Sequence, residues 1–357
     1  MTELSLVADR ESLLSALSKA SMVGATNALF MANGSLEVHA IGNHASMLAR
    51  PTVDVDKPGA AALVVAPLES LVRSASDEKI RIDQKATQLR VRGARFDHVF
   101  ATHDPEKAPR FCESQWPASL SSDPAIVGLA LRRILFACNE SSRYALGSIA
   151  MQSDGAGALV DFVAFDGSKL GVESVAIKGW VKSNCLVPRK SAIALRSLLV
   201  GAKSLELCFS DNWIGANIDG SLFQFQQCEG RFPPWKNGLD SLEKKSKFQI
   251  SAGPLQHAIA QSAIALDGSV DTRRMDFVGH GGTLTLSCRS TSINGGVELP
   301  IEDCDFKASY DFRYVLDAIK AFNPEQSLTL CVCGGGELLI SDDAGFVGLI
   351  AGLSDKD

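Results

Sequence analysis

Ten basic residues lie on six helix-like segments of this 357-residue chain: Arg10, Lys19, Arg73, Arg132, Arg133, Arg189, Lys190, Arg196, Arg313 and Lys320. The chemistry their type and spacing offer is weak, repeated contact with a polyanion. The same segments hold four acidic residues, Glu11, Glu69, Asp311 and Asp317, so the helices carry +6. The whole chain is at −6, which leaves the strands and loops at −12. Cationic helices in an acidic remainder suit phosphate contact without base reading. The competing account is that helix surfaces ordinarily carry Lys and Arg. Pro254–Leu266 departs from the pattern, with Gln256, His257 and Gln261 as its polar positions.

Other chemistry-bearing residues lack the spacing that a reaction needs. His98 and His103 have no zinc-like partner nearby and fall on opposite faces of an alternating stretch, so they read as surface histidines. Gly334–Gly336 sits between two strand patterns and opens no helix, which suits a wide turn better than a phosphate loop. The acidic pairs Glu302-Asp303 and Asp342-Asp343 read as solvated turns. Nine cysteines without a CxxC motif suggest neither a disulfide framework nor a metal site, and Cys331 and Cys333 read as small core residues on one strand face. No nucleophile-elbow, Walker or zinc-protease pattern occurs, so the chain is expected to be no enzyme and to need no cofactor.

The segments that position the cations repeat. RESLLSALSKA (Arg10–Ala20) recurs in type as PAIVGLALRRILFAC (Pro124–Cys138) and PLQHAIAQSAIAL (Pro254–Leu266). A second helix begins near Ala66, Pro188 and Ser309, a period of about 120 residues, the size of a module with its own core. Within the helices, Ala192, Leu195, Leu198 and Leu199 form one apolar stripe and Phe312, Val315, Leu316 and Ile319 another, leaving the cations outward. Between the helices lie strand-like runs with turn signals at Asn33-Gly34, Asp154-Gly155, Asp166-Gly167 and Gly281-Gly282. Lys79–Asp104, Ser204–Glu229 and Ser327–Gly352 alternate apolar with polar residues around a central turn, as antiparallel strands with one wet face do. The fold class is α+β, in three pseudo-repeated modules expected at 1–117, 118–240 and 241–357.

Composition agrees: 46% apolar and 21% charged residues describe a globular chain, and no apolar run approaches the ~18 residues of a membrane span. The N-terminus MTELSLVADRE has no basic start followed by an apolar core, so a cytoplasmic location is expected.

Five strings sharpen the pattern: SSRYALGS (Ser141–Ser148), FVAFDGSKLGV (Phe162–Val172), VPRKSAIALRSLL (Val187–Leu199), EGRFPPW (Glu229–Trp235) and SYDFRYVLDAIKAF (Ser309–Phe322). In order and spacing they resemble segments of the bacterial DNA polymerase III beta subunit, the sliding clamp. The first module matches only in period and in PGAAALVVAPLESLV (Pro58–Val72). The resemblance implies three clamp domains, each two helices on antiparallel sheets, forming half of a six-domain ring closed by a head-to-tail homodimer. Double-stranded DNA would pass through it without sequence-specific reading. Arg132, Arg133, Arg143, Tyr144, Arg189, Lys190, Arg196, Arg313 and Lys320 are the candidate DNA-facing residues.

The resemblance further implies a partner-peptide pocket at Leu146, Phe165, Gly167, Lys169, Leu170, Pro233, Asn237, Val347 and Leu349, serving a DNA polymerase and a clamp loader. It implies a subunit contact of Pro109 and Phe111 with Ile264 and Leu266. Such a protein is a processivity factor of DNA replication. The chain departs from the family at Ser168-Lys169, at Asn237-Gly238, in the short stretch Met22–Leu29 and in its tail GLIAGLSDKD, which suggests a divergent member with different peptide preferences. The alternative is a clamp-like interaction module that binds replication partners without encircling DNA.

Overall fold

The computed structural model describes residues 3–113, 120–139, 144–153, 159–177, 184–210, 212–265, 273–289 and 294–354. The first third of the chain runs β1 (Ser5–Asp9), α1 (Arg10–Met22), β2 (Asn27–Ala32), β3 (Leu36–Ile41), β4 (Ala45–Ala49), β5 (Val53–Lys57), β6 (Gly59–Val64), α2 (Val65–Ser74), β7 (Lys79–Lys85), β8 (Gln88–Arg92) and β9 (Asp97–Ala101). The second runs β10 (Leu120–Ser122), α3 (Pro124–Ile134), β11 (Ser148–Ser153), β12 (Val160–Phe165), β13 (Lys169–Val175), β14 (Asn184–Pro188), α4 (Arg189–Leu198), β15 (Leu205–Phe209), β16 (Trp213–Ile218) and β17 (Ser221–Gln226). A short helix α5 (Trp235–Asp240) leads into the third: β18 (Lys244–Ser251), α6 (Ala252–Ser262), β19 (Arg274–His280), β20 (Thr283–Arg289), β21 (Asn294–Pro300), β22 (Phe306–Asp311), α7 (Phe312–Ile319), β23 (Ser327–Cys333), β24 (Leu338–Ser341) and β25 (Phe346–Ile350).

The helices begin where local chemistry allows. Asp9 accepts a hydrogen bond from the Ser12 amide (2.8 Å) and Asp311 from the Arg313 amide (3.1 Å), each satisfying a donor that the first turn leaves open. The hairpin signals hold where they are described: Gly34, Gly167, Gly281, Gly282 and Gly336 all take positive φ. Asp154-Gly155 lies outside the described residues. The last helix is shorter than its pattern, because Ser309–Asp311 completes β22. The short α5 starts at the end of the EGRFPPW string and is not among the helix-like segments read from the sequence.

Two compact units emerge, Met1–Gly128 with Lys190–Gln227, and Leu129–Arg189 with Cys228–Asp357. The first unit holds a five-stranded sheet, β5-β1-β7-β8-β9, and an eight-stranded sheet, β10-β15-β16-β17-β4-β3-β2-β6. Its core includes Leu6, Leu13, Leu17, Phe30, Val72, Phe223 and Phe225, all fully buried. The second unit holds an eight-stranded sheet, β14-β11-β12-β13-β25-β24-β23-β18, and a four-stranded one, β21-β20-β19-β22, around a core of Phe248, Phe277, Tyr310 and Phe346.

In each unit, strands far apart in sequence fuse into one sheet by the same move. β17 pairs antiparallel with β4, and β25 pairs antiparallel with β13. The second junction is close-packed: Gly171 pairs with Gly348, and a Cβ on Gly171 would lie 3.0 Å from the Phe136 ring and 3.2 Å from the Ile134 backbone. Both glycines therefore leave room for the chain just after α3 to lie on the sheet. Among the described residues, no helix is long and apolar enough to cross a membrane.

Candidate functional site

The helical cations do not share one environment. Lys190 is exposed and Arg196 half-buried on the polar side of α4, opposite buried Ala192, Leu195 and Leu198; Arg189 opens the same helix, half-buried. Arg313 donates to Asp311 (Nη2–Oδ2, 2.6 Å), and Lys320 lies 3.1 Å from Asp317. Arg73 is paired with Glu69 one turn away. The Nε of Arg132 donates to the Ala321 carbonyl (3.1 Å), just beyond α7, so this guanidinium holds the end of a helix. Arg143 and the side chain of Tyr144 lie outside the described residues.

Arg133 is a correction. Expected on the outward face, it has only 6% of its side chain exposed, with Nη1 2.9 Å from Glu173 Oε1 and 3.0 Å from Asp342 Oδ2. Its guanidinium also lies 4.7 Å from the Phe322 ring centroid. One cation thus serves two buried carboxylates. Burial, with the Asp342 charge adding to it and Arg133 opposing, pushes Glu173 up to about 7 from 4.5. Asp342 is likewise no solvated turn residue: its carboxylate also accepts from the Gln326 amide and from the backbone N–H groups of Ala344 and Phe346.

Strand alternation separates this charged cluster from the apolar face expected to hold a partner peptide. Along β13, Gly171 and Glu173 face the helix side with Lys169, while Leu170 and Val172 face the other way. On that second face Leu170 pairs with Leu349 and Val172 with Val347. Half-buried Phe165, Val347 and Leu349 there join buried Leu170, Val172 and Phe232 in one apolar cluster, walled by Trp235 and Leu239 of α5. Leu146 is half-buried, Gly167 forms the β12–β13 turn, and Pro233 and Asn237 lie on the segment that crosses the sheet face. Lys169 does not join them. Its ammonium stacks 4.2 Å from the Tyr314 ring centroid and 3.2 Å from Asp166, on the opposite face. Buried Cys331, Cys333 and Leu339 continue the apolar face beyond Leu349.

Of the residues expected at a subunit contact, Pro109 is exposed and Ile264 is 75% exposed, while Leu266 lies outside the described residues. Phe111 is only 5% exposed, and its N–H donates to His39 Nδ1 (3.3 Å), so its ring is already enclosed within its own unit. Burial holds the His39 pKa below its ordinary value, in keeping with a neutral ring whose Nδ1 accepts. The sequence reading missed Glu173, Asp342 and Trp235. The first two are remote from Arg133 along the chain, and only Trp235, within EGRFPPW, carried a local signal.

Residues 125–234 match the family model described as the DNA polymerase III beta subunit, central domain. A comparison with curated protein sequences finds no match. Among solved structures, the chain is similar to the sliding clamp (DNA polymerase III subunit beta) of Pseudomonas aeruginosa bound to griselimycin, with a TM-score of 0.88 at 17% identity over 98% of this chain and 99% of that one. It is similar to the DNA polymerase III beta subunit of Thermotoga maritima, with a TM-score of 0.89 at 14% identity over 98% and 99%. It is also similar to the DNA polymerase sliding clamp of Caulobacter crescentus, with a TM-score of 0.85 at 19% identity over 98% and 100%.

Proposed function

We infer that this chain, a divergent relative of the DNA polymerase III beta subunit with the sliding-clamp fold from end to end, works as a DNA sliding clamp. Two copies close head to tail into a ring of six domains, taken at 1–117, 118–240 and 241–357 in each copy. Duplex DNA runs through the hole without being read.

The observation that carries this reading is the repeated strand junction. The last strand of one third pairs with the third strand of a β-meander in another: β17 with β4, and β25 with β13. By the same rule the last strand of the first third, β9, requires β21. Among the described residues both are sheet-edge strands with one unpaired side, and Val99 of β9 is 55% exposed. A second copy would supply the missing partner and remove two edges that otherwise invite aggregation. On this reading the subunit contact would run along β9 and β21, with Pro109 and Ile264 proposed as further members of it.

Contact with DNA would come chiefly from Lys190 and Arg196, with Arg189, Arg132, Arg143, Tyr144, Arg313 and Lys320 contributing. Closure, rather than affinity, would keep the ring on DNA, so weak and mobile phosphate contacts suffice. The Leu170–Leu349 groove would hold a short peptide of a DNA polymerase or clamp loader. Tethering raises the polymerase's effective concentration at the primer end, which is processivity without catalysis. The setting would be the cytoplasm.

A second reading is favoured by the pairing of Arg73, Arg313 and Lys320 with acidic neighbours and the burial of Arg133: a clamp-shaped module that binds replication partners without encircling DNA. Two measurements decide. The clamp should sediment as a dimer at micromolar concentration and, with a bacterial loader and ATP, stay on nicked circular plasmid until the plasmid is linearised. A strict monomer, or retention that linearisation leaves unchanged, refutes the ring.

A further inference from the structure

Adjoining the apolar cluster, with which it shares Phe232 and Trp235, lies a cavity of about 360 Å³, within the ~300–1,000 Å³ range of ligand sites. It is lined by Arg231 through Asn237, which bring Phe232, Pro233, Pro234, Trp235 and Lys236, and by Gln152 and Asn184 from β11 and β14. The direction of its hydrogen bonds is fixed by chemistry. An indole N–H can only donate, so the Gln152 atom 3.0 Å from Trp235 Nε1 is the oxygen. The other end of that amide is then a donor, and the Asn184 atom 3.2 Å away must be Oδ1. The relay ends on the Asn184 NH₂ group, whose hydrogens meet no acceptor among the described residues. Arg231 is exposed and makes no ion pair among the described residues. The nearby carboxylate, Asp161, is already held by Lys236 (2.9 Å) and by the Ser174 hydroxyl (2.7 Å).

The cavity therefore presents the Arg231 guanidinium, the Asn184 NH₂ group and the stem of Lys236 between apolar walls, with the Asn237 carboxamide as its remaining polar side chain, so it carries positive charge and no carboxylate of its own. We propose that it binds the carboxylate of an Asp or Glu side chain in the same partner peptide whose apolar residues fill the Leu170–Leu349 groove. Phe232 and Trp235 belong both to the cavity wall and to the apolar cluster of the groove, so a single peptide crossing α5 reaches the two. A charge-assisted contact to Arg231 adds selectivity that the apolar strip lacks. The proposal rests on the peptide-groove reading above.

The test is fluorescence anisotropy with a labelled decapeptide joining a Leu-Leu-Phe segment to two aspartates, and with its twin carrying two asparagines. The aspartate peptide should bind about tenfold more tightly at low salt. Arg231→Gln should abolish that difference while leaving the asparagine twin's affinity unchanged; Arg231 is exposed, and an unchanged melting temperature confirms the fold. Equal binding of the twins, or a difference that survives Arg231→Gln, overturns the carboxylate site while the groove stands. Failure of both peptides to bind overturns the groove and the site together. Displacement of the aspartate peptide by a short single-stranded oligonucleotide but not by unlabelled peptide would assign the cavity to nucleic acid and likewise overturn the proposal.

Discussion

Replacing Glu173 by Gln tests whether the buried cluster is electrostatically over-supplied with acid. In the folded chain Glu173 sits at about 7 against 4.5 in its ordinary state, because burial and the Asp342 charge outweigh the attraction of Arg133. At ~1.4 kcal/mol per pH unit, the difference corresponds to about 3 kcal/mol. The sign follows from proton binding. Between pH 4.5 and 7 the folded state holds a proton that the unfolded state has released, so stability falls as pH rises through this window. The contribution is fully present below about 4.5 and gone above about 7.

A glutamine keeps an oxygen for the Arg133 Nη1 donor and leaves Arg133 and Asp342 as a one-to-one pair. In urea unfolding of both proteins from pH 5 to pH 8, the variant should gain stability relative to the parent as pH rises, by up to about 3 kcal/mol. Titrating groups remote from the Arg133 cluster cancel in that difference. A difference that stays flat with pH, or a variant that becomes progressively less stable than the parent toward pH 8, would refute the shared-guanidinium account.

Two further outcomes are expected. Gly171→Val should cost roughly 2–4 kcal/mol in urea unfolding, because its side chain meets the Phe136 ring and Ile134 backbone at 3.0–3.2 Å; Gly220→Val, at an open turn, serves as a control that is strained only by its positive φ. Substituting Lys190 and Arg196 together by Gln should leave the melting temperature within about a degree or two and reduce the salt slope of duplex-DNA binding by about two, with no dependence on DNA sequence. An unchanged slope would remove α4 from the DNA contact.

The sequence by itself determined the repeated order of helices and antiparallel strands, since periods of 3.6 and 2 and turn glycines such as Gly34 and Gly167 are local properties. The family resemblance pointed to Leu170, Val347 and Leu349, which the structure gathers in one apolar cluster. It did not determine the fate of its charges. A helical wheel places Arg133 outward as readily as inward, and the carboxylates that draw it inside belong to β13 and to the turn after β24. Lys169 follows the same logic: one residue of strand parity sends it to Tyr314 rather than to the groove beside Leu170. The pairing of β13 with β25 and of β4 with β17 was also invisible, because a strand's own pattern shows which face is wet but not which edge it will join. Those choices depend on desolvation and on contacts between residues remote in the chain, and they exist only once the tertiary structure has formed.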